Sequence, residues 1–380
     1  MNLPTYQFSR ILLIRLRQIG DVVFTTPAVQ ALRGRFPNAH LTYIVEPAAA
    51  AIVTGNPHLD EVIVAPRRGG VRGLLDDLAL GRRLRARQFD LAIDFHGGPR
   101  ASLLTWLSCA PVRIGYQVAG RSWIYTCRIA RPRELRPRHS VVNQWDLLAT
   151  LDIPPPDPSA SPMEMAADPA AAAAVAERLA RAGAAEDDPL VVIHVSAGNP
   201  FRRWPAAHFV ELVTALAIDV PARRIIVTSG PSDGDAAGRV VADARARLDS
   251  VAARRILSCG EFSLAELRAL LDRAALYIGG DSGPLHVAAT TRVPIVGLYG
   301  PTLPERSAPW RSGAYVTESV DAGPLPCRPC DQRVCAPGDF RCLTSILPAQ
   351  VVDAARRATA RAGSCGSGGS CGSGGPSGSE

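Results

Sequence analysis

No run in this 380-residue chain approaches the ~20 consecutive apolar residues that a bilayer-spanning helix needs. The opening stretch MNLPTYQFSRILLIRLRQIGDVV does not read as a cleavable leader. Its apolar piece is short, Arg15 and Arg17 interrupt it, and no small-residue cleavage site follows. A cytoplasmic protein is the expectation. Aromatic residues make up only 6%, and arginine is spread along the chain without a long basic block. The basic-plus-aromatic interleaving of a nucleic-acid-binding surface is missing, so no nucleic-acid partner is expected. None of the strand-end loops is a GxGxxG fingerprint or a P-loop, which counts against a dinucleotide oxidoreductase and an NTPase. The nine cysteines, without an export signal, do not read as the disulfide framework of a secreted domain.

What is present is an ordinary globular balance, 47% hydrophobic and 20% charged, on a chain long enough for two cores. The formal charge of +7 suits an anionic ligand or an anionic membrane surface. In the first half, RILLIRL (10–16), HLTYIVEP (40–47), LDEVIVA (59–65) and FDLAIDFHGG (89–98) read as strands. Between them, DVVFTTPAVQALRGRFP reads as a loop then a helix, and VRGLLDDLALGRRLRARQ as an amphipathic helix. This βαβ rhythm means a parallel sheet covered on both faces. It breaks at 152–189, a Pro-rich extended linker followed by an Ala-rich helix. A second alternation then runs from LVVIHVSAG through RRIIVTSG, RILSCG and ALYIGGDSG to VPIVGLYG. The expected fold is α/β, with two Rossmann-like doubly wound domains facing a cleft. Their expected extents are 1–153 and 189–362, joined by a linker and helix at 154–188, with the Gly/Ser-rich 363–380 a disordered tail.

Ligands in such sheets bind beyond the carboxyl ends of the strands, so the strand-end loops carry the candidate chemistry. In GGDSGPLHVAA (279–289), Ser282 or Gly283 is placed to cap a helix, with Pro284 at its first position. A helix start seats phosphate; Asp281, which repels it, is then a ligand for sugar hydroxyls, or else merely part of the cap. HVSAGNPFRRWPAAHFVEL (194–212) brings Arg202 and Arg203 to a loop over the cleft, where a guanidinium fork matches a diphosphate; Trp204 reads as packed. TSGPSDGDAAG (228–238) offers Asp233 and Asp235 to ribose hydroxyls. In the first half, Gly20-Asp21 follows the first strand, and that carboxylate is either a general base for an acceptor hydroxyl or a helix-start acid held by the dipole.

GDVVFTTPAVQALR, AIDFHGGPRAS, VIHVSAGNPFRRWP, LYIGGDSGPLHVAA, VGLYGPT and PCRPCDQRVCAPGDFRCL occur in the order seen in glycosyltransferase family 9. The chain resembles these bacterial lipopolysaccharide heptosyltransferases over roughly residues 10–360. The resemblance implies a GT-B fold with an N-terminal acceptor domain and a C-terminal nucleotide-sugar domain. It implies ADP-L-glycero-D-manno-heptose as donor, inversion at the anomeric carbon and no metal in the chemistry. The implied acceptor is a lipid-linked core oligosaccharide, reached by peripheral contact with the inner face of the inner membrane. By position, Asp21 matches the family's catalytic base, and Asp281, Ser282, Gly283 and His286 its donor motif. Arg202 stands where the family usually has lysine. Arg121 and His139 align with acceptor-side residues, and Arg100, near DFHGG, is a further candidate for an anionic acceptor. His96 is placed for acceptor contact or for holding its loop.

Cys327, Cys330, Cys335 and Cys342 form CxxC-x4-C-x6-C, a spacing compact enough for structural zinc or iron; the alternative is a reduced loop. Cys109, Cys127 and Cys259 read as buried small apolar residues. Within the family, another nucleotide sugar or acceptor is the alternative; outside catalysis, it is a binding protein that keeps the fold. Asp21 separates the two, because a pure binding protein has no use for a carboxylate at that strand end.

Overall fold

The apolar runs fold as strands that are buried on both faces, which only a helix-covered parallel sheet allows. The structure, a computed structural model, describes residues 6–130, 138–230, 233 and 235–366. The first sheet holds β1 (Arg10–Ile14), β2 (His40–Val45), β3 (Glu61–Val64), β4 (Leu91–Asp94), β5 (Val112–Tyr116) and β6 (Cys127–Ile129) in the order β3-β2-β1-β4-β5-β6. The second holds β7 (Leu190–His194), β8 (Arg224–Thr228), β9 (Ile256–Leu257), β10 (Ala274–Gly280), β11 (Ile295–Tyr299) and β12 (Thr317–Asp321) in the order β12-β11-β10-β7-β8-β9. All pairings are parallel. Each half is therefore the doubly wound 3-2-1-4-5-6 arrangement of the Rossmann fold, with one switch point beside β1 and β4 and another beside β7 and β10.

Four local expectations are corrected. Ile19–Val23 is a short helix where a loop was expected: Gln18 and Asp21 close a capping box that satisfies its first backbone donors. RILSCG contributes only two residues of strand, and β5, β6 and β12 were not anticipated. The helix Pro348–Gly366 runs through the first residues of the expected Gly/Ser tail. The rest of that tail, including Cys371, lies outside the described residues. Among the described residues no helix is long and apolar enough to cross a membrane.

The two halves close on each other through tight contacts. A Cβ on Gly20 would lie 2.5 Å from the His286 ring, and one on Gly283 would lie 2.9 Å from Ile19, so both positions need the missing side chain. Phe24 lies against His286, tilted, with ring centroids 4.4 Å apart, and His139 packs between Phe24 and Trp310. The backbone N–H of Met163 donates to the Trp310 carbonyl, and the Trp310 indole donates to Ser161, tying the linker to the second half.

Candidate active site

Both switch points open on one cavity of about 670 Å³. From the first half it is lined by Gln18, Gly20, Asp21 and Phe24, from the second by Asn199, Arg202, Asp281, Ser282, Gly283 and His286. Asp21 and the Arg202–Asp281 pair thus meet across a shared gap, as the sequence led one to expect. The topology is the reason: β1 and β10 both end at a switch point, and these ends face each other.

Asp21 lies in the first turn of the Ile19–Val23 helix with 41% of its side chain exposed. Its carboxylate pairs with Arg15, whose other terminal nitrogen donates to the Phe95 carbonyl at 2.6 Å. Arg15 is buried, so it fixes one face of the carboxylate while the other stays open to the cavity.

Asp281 is wholly buried at the end of β10. It accepts from the Thr302 hydroxyl, from Arg202 Nη1 at 3.1 Å and, at 3.5 Å, faces His286 Nε2. Burial by itself would push the carboxyl up, but His286, the Arg202 charge and Thr302 together hold it at about 2. Through Oδ2 the carboxylate anchors Arg202 and Thr302, while Oδ1 has no hydrogen-bond partner among the described residues and the residue lines the cavity. Arg202 is held at a second point, donating from Nε to Gln332 Oε1 at 2.7 Å; Asn199 shares that acceptor at 2.9 Å. Ser282 is the N-cap residue of the Gly283–Ala288 helix, yet its hydroxyl makes no cap bond and has no partner although it lines the cavity. Behind the 197–199 loop, buried His194 links Thr228 and Ser196, each at 3.0 Å, and burial pulls the imidazole down to about 4.

The other candidates are placed elsewhere. Arg100 gives Nε and Nη2 to Asp77 and Nη1 to Glu46 at 2.9 Å, with the Ala65 and Pro66 carbonyls completing its shell. It borders a separate small cavity beneath the Gly70–Ala86 helix, not the main one. Arg121 donates to the Gly97 carbonyl at 3.3 Å. Buried Asp94 organises that loop, accepting from Tyr125 and from the backbone of His96 and Gly97, and the His96 ring lies against Gly98. His139 accepts the Val141 N–H at Nδ1, so Nε2 carries the proton and donates to the Ala308 carbonyl at 2.9 Å. Burial, with His286 nearby, pulls it down to about 4 despite that bond. It is a neutral bridge between the halves. Asp235 is exposed and caps the Ala236–Arg245 helix, while Asp233 pairs with Arg203 and accepts the Ala197 N–H.

The thiols of Cys327, Cys330, Cys335 and Cys342 are free. Among the described residues no group of three or more His, Cys, Asp or Glu is placed to hold a metal ion. Burial, then the neighbouring Cys330, push the Cys342 thiol up to about 11. The tetrahedral arrangement expected from the spacing does not fit this geometry. Instead the loop closes one wall of the cavity with Cys330, Asp331 and Gln332. Cys109 is exposed rather than buried. Gln332 and Arg15 escaped sequence reasoning. Gln332 meets Arg202 across 130 positions with no local pattern to announce it; Arg15 carried a signal, a charge at the end of an apolar strand.

The Glycosyltransferase family 9 (heptosyltransferase) model matches residues 78–336. The chain is 26% identical to lipopolysaccharide heptosyltransferase 3 of Escherichia coli over 321 residues, 84% of this chain and 91% of that protein. It is 27% identical to lipopolysaccharide heptosyltransferase 1 of Pseudomonas aeruginosa, covering 86% and 87%. Among solved structures, the family 9 glycosyl transferase from Veillonella parvula superposes with a TM-score of 0.79 at 25% identity, covering 93% of this chain and 98% of that one. Escherichia coli ADP-heptose lipopolysaccharide heptosyltransferase II superposes at 0.72 with 18% identity, covering 93% and 99%, a likeness of fold.

Proposed function

Because the chain belongs to glycosyltransferase family 9, we propose that it is an inverting heptosyltransferase. In this reading it moves heptose from ADP-L-glycero-D-manno-heptose to a lipid-linked core oligosaccharide of lipopolysaccharide. One observation carries the assignment of roles: a half-exposed carboxylate from one half and a clamped arginine from the other line the same sugar-sized space. The acceptor hydroxyl gives its proton to Asp21 as its oxygen bonds to the anomeric carbon. The carbon–oxygen bond to the diphosphate breaks on the opposite face, inverting the centre. The departing ADP carries away the electron pair, and Arg202 stabilises the charge that develops. With Nε on Gln332 and Nη1 on Asp281, Arg202 keeps Nη2 for the diphosphate. The unpartnered Ser282 hydroxyl is a ready ligand beside it. The reading requires no metal, since the cation that meets the leaving group is a side chain.

The chain contains no lysine, so an arginine at position 202 follows the composition of the whole molecule. A calorimetric panel of ADP-, UDP-, GDP- and dTDP-sugars identifies the donor, and release of ADP with a core acceptor reports transfer. Asp21→Ala is expected to lose about 10²–10⁴-fold in rate while binding donor as before. Wild-type turnover by that variant would remove Asp21 from the role of base.

A further inference from the structure

The helix Gly70–Ala86 buries one stripe, Leu80 and Leu84, with Gly81 pressed against Leu107. On its opposite side Val71, Leu74 and Leu75 stay exposed among the described residues, with Leu78 half-buried. At helical spacing that outer line reads Val71, Leu74, Leu75, Leu78, Arg82 and Arg85: an apolar first half and a basic second half. Val71 is 75% exposed, Leu74 52% and Leu75 58%, high values for aliphatic side chains on a soluble surface. No carboxylate shares this stripe. Asp77 turns inward to Arg100 at 2.8 Å, and Asp76 sits on the flank beside Arg68 at 3.5 Å. The adjacent helix Pro99–Leu107 covers the same sheet face, and its Trp106 stands edge-on to Trp123 with ring centroids 6.1 Å apart. Both indoles are exposed, at 46% and 61%.

We infer that this face is a membrane-docking surface for an anionic bilayer. The chemistry selects that occupant: aliphatic side chains and indoles enter the headgroup boundary, and arginines free of carboxylate neighbours meet lipid phosphate. Geometry adds a second reason. The helix begins just beyond β3, and the Asp21 helix just beyond β1 of the same parallel sheet, so both starts lie along one sheet edge. The apolar half of the stripe thus lies toward the same carboxyl-end rim of the sheet as the cavity, on the sheet face opposite the Asp21 helix. The inference rests on the proposed function only for the identity of the lipid.

Flotation of the full chain with phosphatidylcholine vesicles, with and without phosphatidylglycerol, tests it. Binding is expected only with the anionic lipid, weakening as salt rises, with a blue shift of indole fluorescence. The double variant Arg82→Gln/Arg85→Gln is expected to partition roughly 30-fold more weakly, about fivefold per charge. Leu74→Ser/Leu75→Ser is expected to abolish the salt-resistant remainder. Both variants alter exposed side chains, and both should keep wild-type thermal unfolding and wild-type transfer to an acceptor sugar stripped of its lipid. Absence of vesicle binding, variants that bind like wild type, or a dimer in sedimentation that Leu74→Ser/Leu75→Ser dissolves would each overturn the inference. Loss of transfer to the lipid-free acceptor in the wild type, with vesicle binding intact, would instead count against the proposed reaction alone.

Discussion

Replacing Asp281 by asparagine removes one charge from the buried centre of the site and changes almost nothing in shape. The ionised carboxylate is favoured in the folded protein, its pKa falling from 3.8 to about 2. That difference corresponds to about 2.5 kcal/mol of stability at neutral pH. The sign follows from the direction of the shift. A carboxylate depressed on folding contributes fully above its unfolded value, near pH 4, and the contribution is lost as pH falls through about 2. Asp281→Asn should therefore cost about 2–3 kcal/mol at pH 7, seen as a lower urea midpoint at unchanged slope. The two proteins should converge in stability between pH 4 and pH 2, where the wild type protonates. The variant also leaves Arg202 anchored only through Gln332 and its backbone contact. Donor affinity should then fall along with stability. A gap that stays constant from pH 7 down to pH 2 would refute the pairing of Asp281 with Arg202 and His286 as the source of its stabilisation.

Gly20→Ala drives a methyl group into the His286 ring at the junction of the two halves; overpacking of this kind costs about 1–3 kcal/mol, to be read as a lower melting temperature and slower transfer. Arg15→Met frees Asp21 from its fixed face, so kcat should drop while donor affinity in calorimetry holds. His139→Ala should loosen the two halves, lowering unfolding free energy by about 1–3 kcal/mol with little pH dependence between 6 and 8, because the imidazole is neutral throughout that range. Arg100→Gln strands Asp77 and Glu46 and should destabilise by about 3 kcal/mol, whereas an unchanged stability with a raised acceptor KM would restore Arg100 to the substrate.

Sheet strands and their rhythm were legible because parallel strands are apolar throughout, and such runs stand out against amphipathic helices. The short edge strand β6 was not, since its residues are only partly buried and carry no such signature. At the site, Asp21, Arg202 and Asp281 were found from strand-end position, which in a doubly wound sheet is already a statement about the cleft. Arg100, Arg121, His139 and Asp235 looked equivalent in the sequence, being polar residues near loops. In the structure Arg100 is engaged by Asp77 and Glu46, Arg121 by the Gly97 carbonyl and His139 by the Ala308 carbonyl, while Asp235 caps its own helix. The cysteine spacing suggested a metal, but spacing does not specify how the thiols are oriented; among the described residues no ligand set is formed, and the same loop brings Gln332 to Arg202.

Read alone, the sequence determines two Rossmann-like halves, an acid at the end of the first strand and a basic, glycine-bearing motif in the second half. These follow from local periodicity and turn chemistry, which act over a few residues. Tertiary structure alone decided that Asp281 anchors Arg202 and His286, that Arg15 holds Asp21, and that Gly20 and Gly283 let the halves meet. Those outcomes depend on which side chains converge in space and on how much water is excluded when they do, and neither quantity is carried by any short stretch of chain.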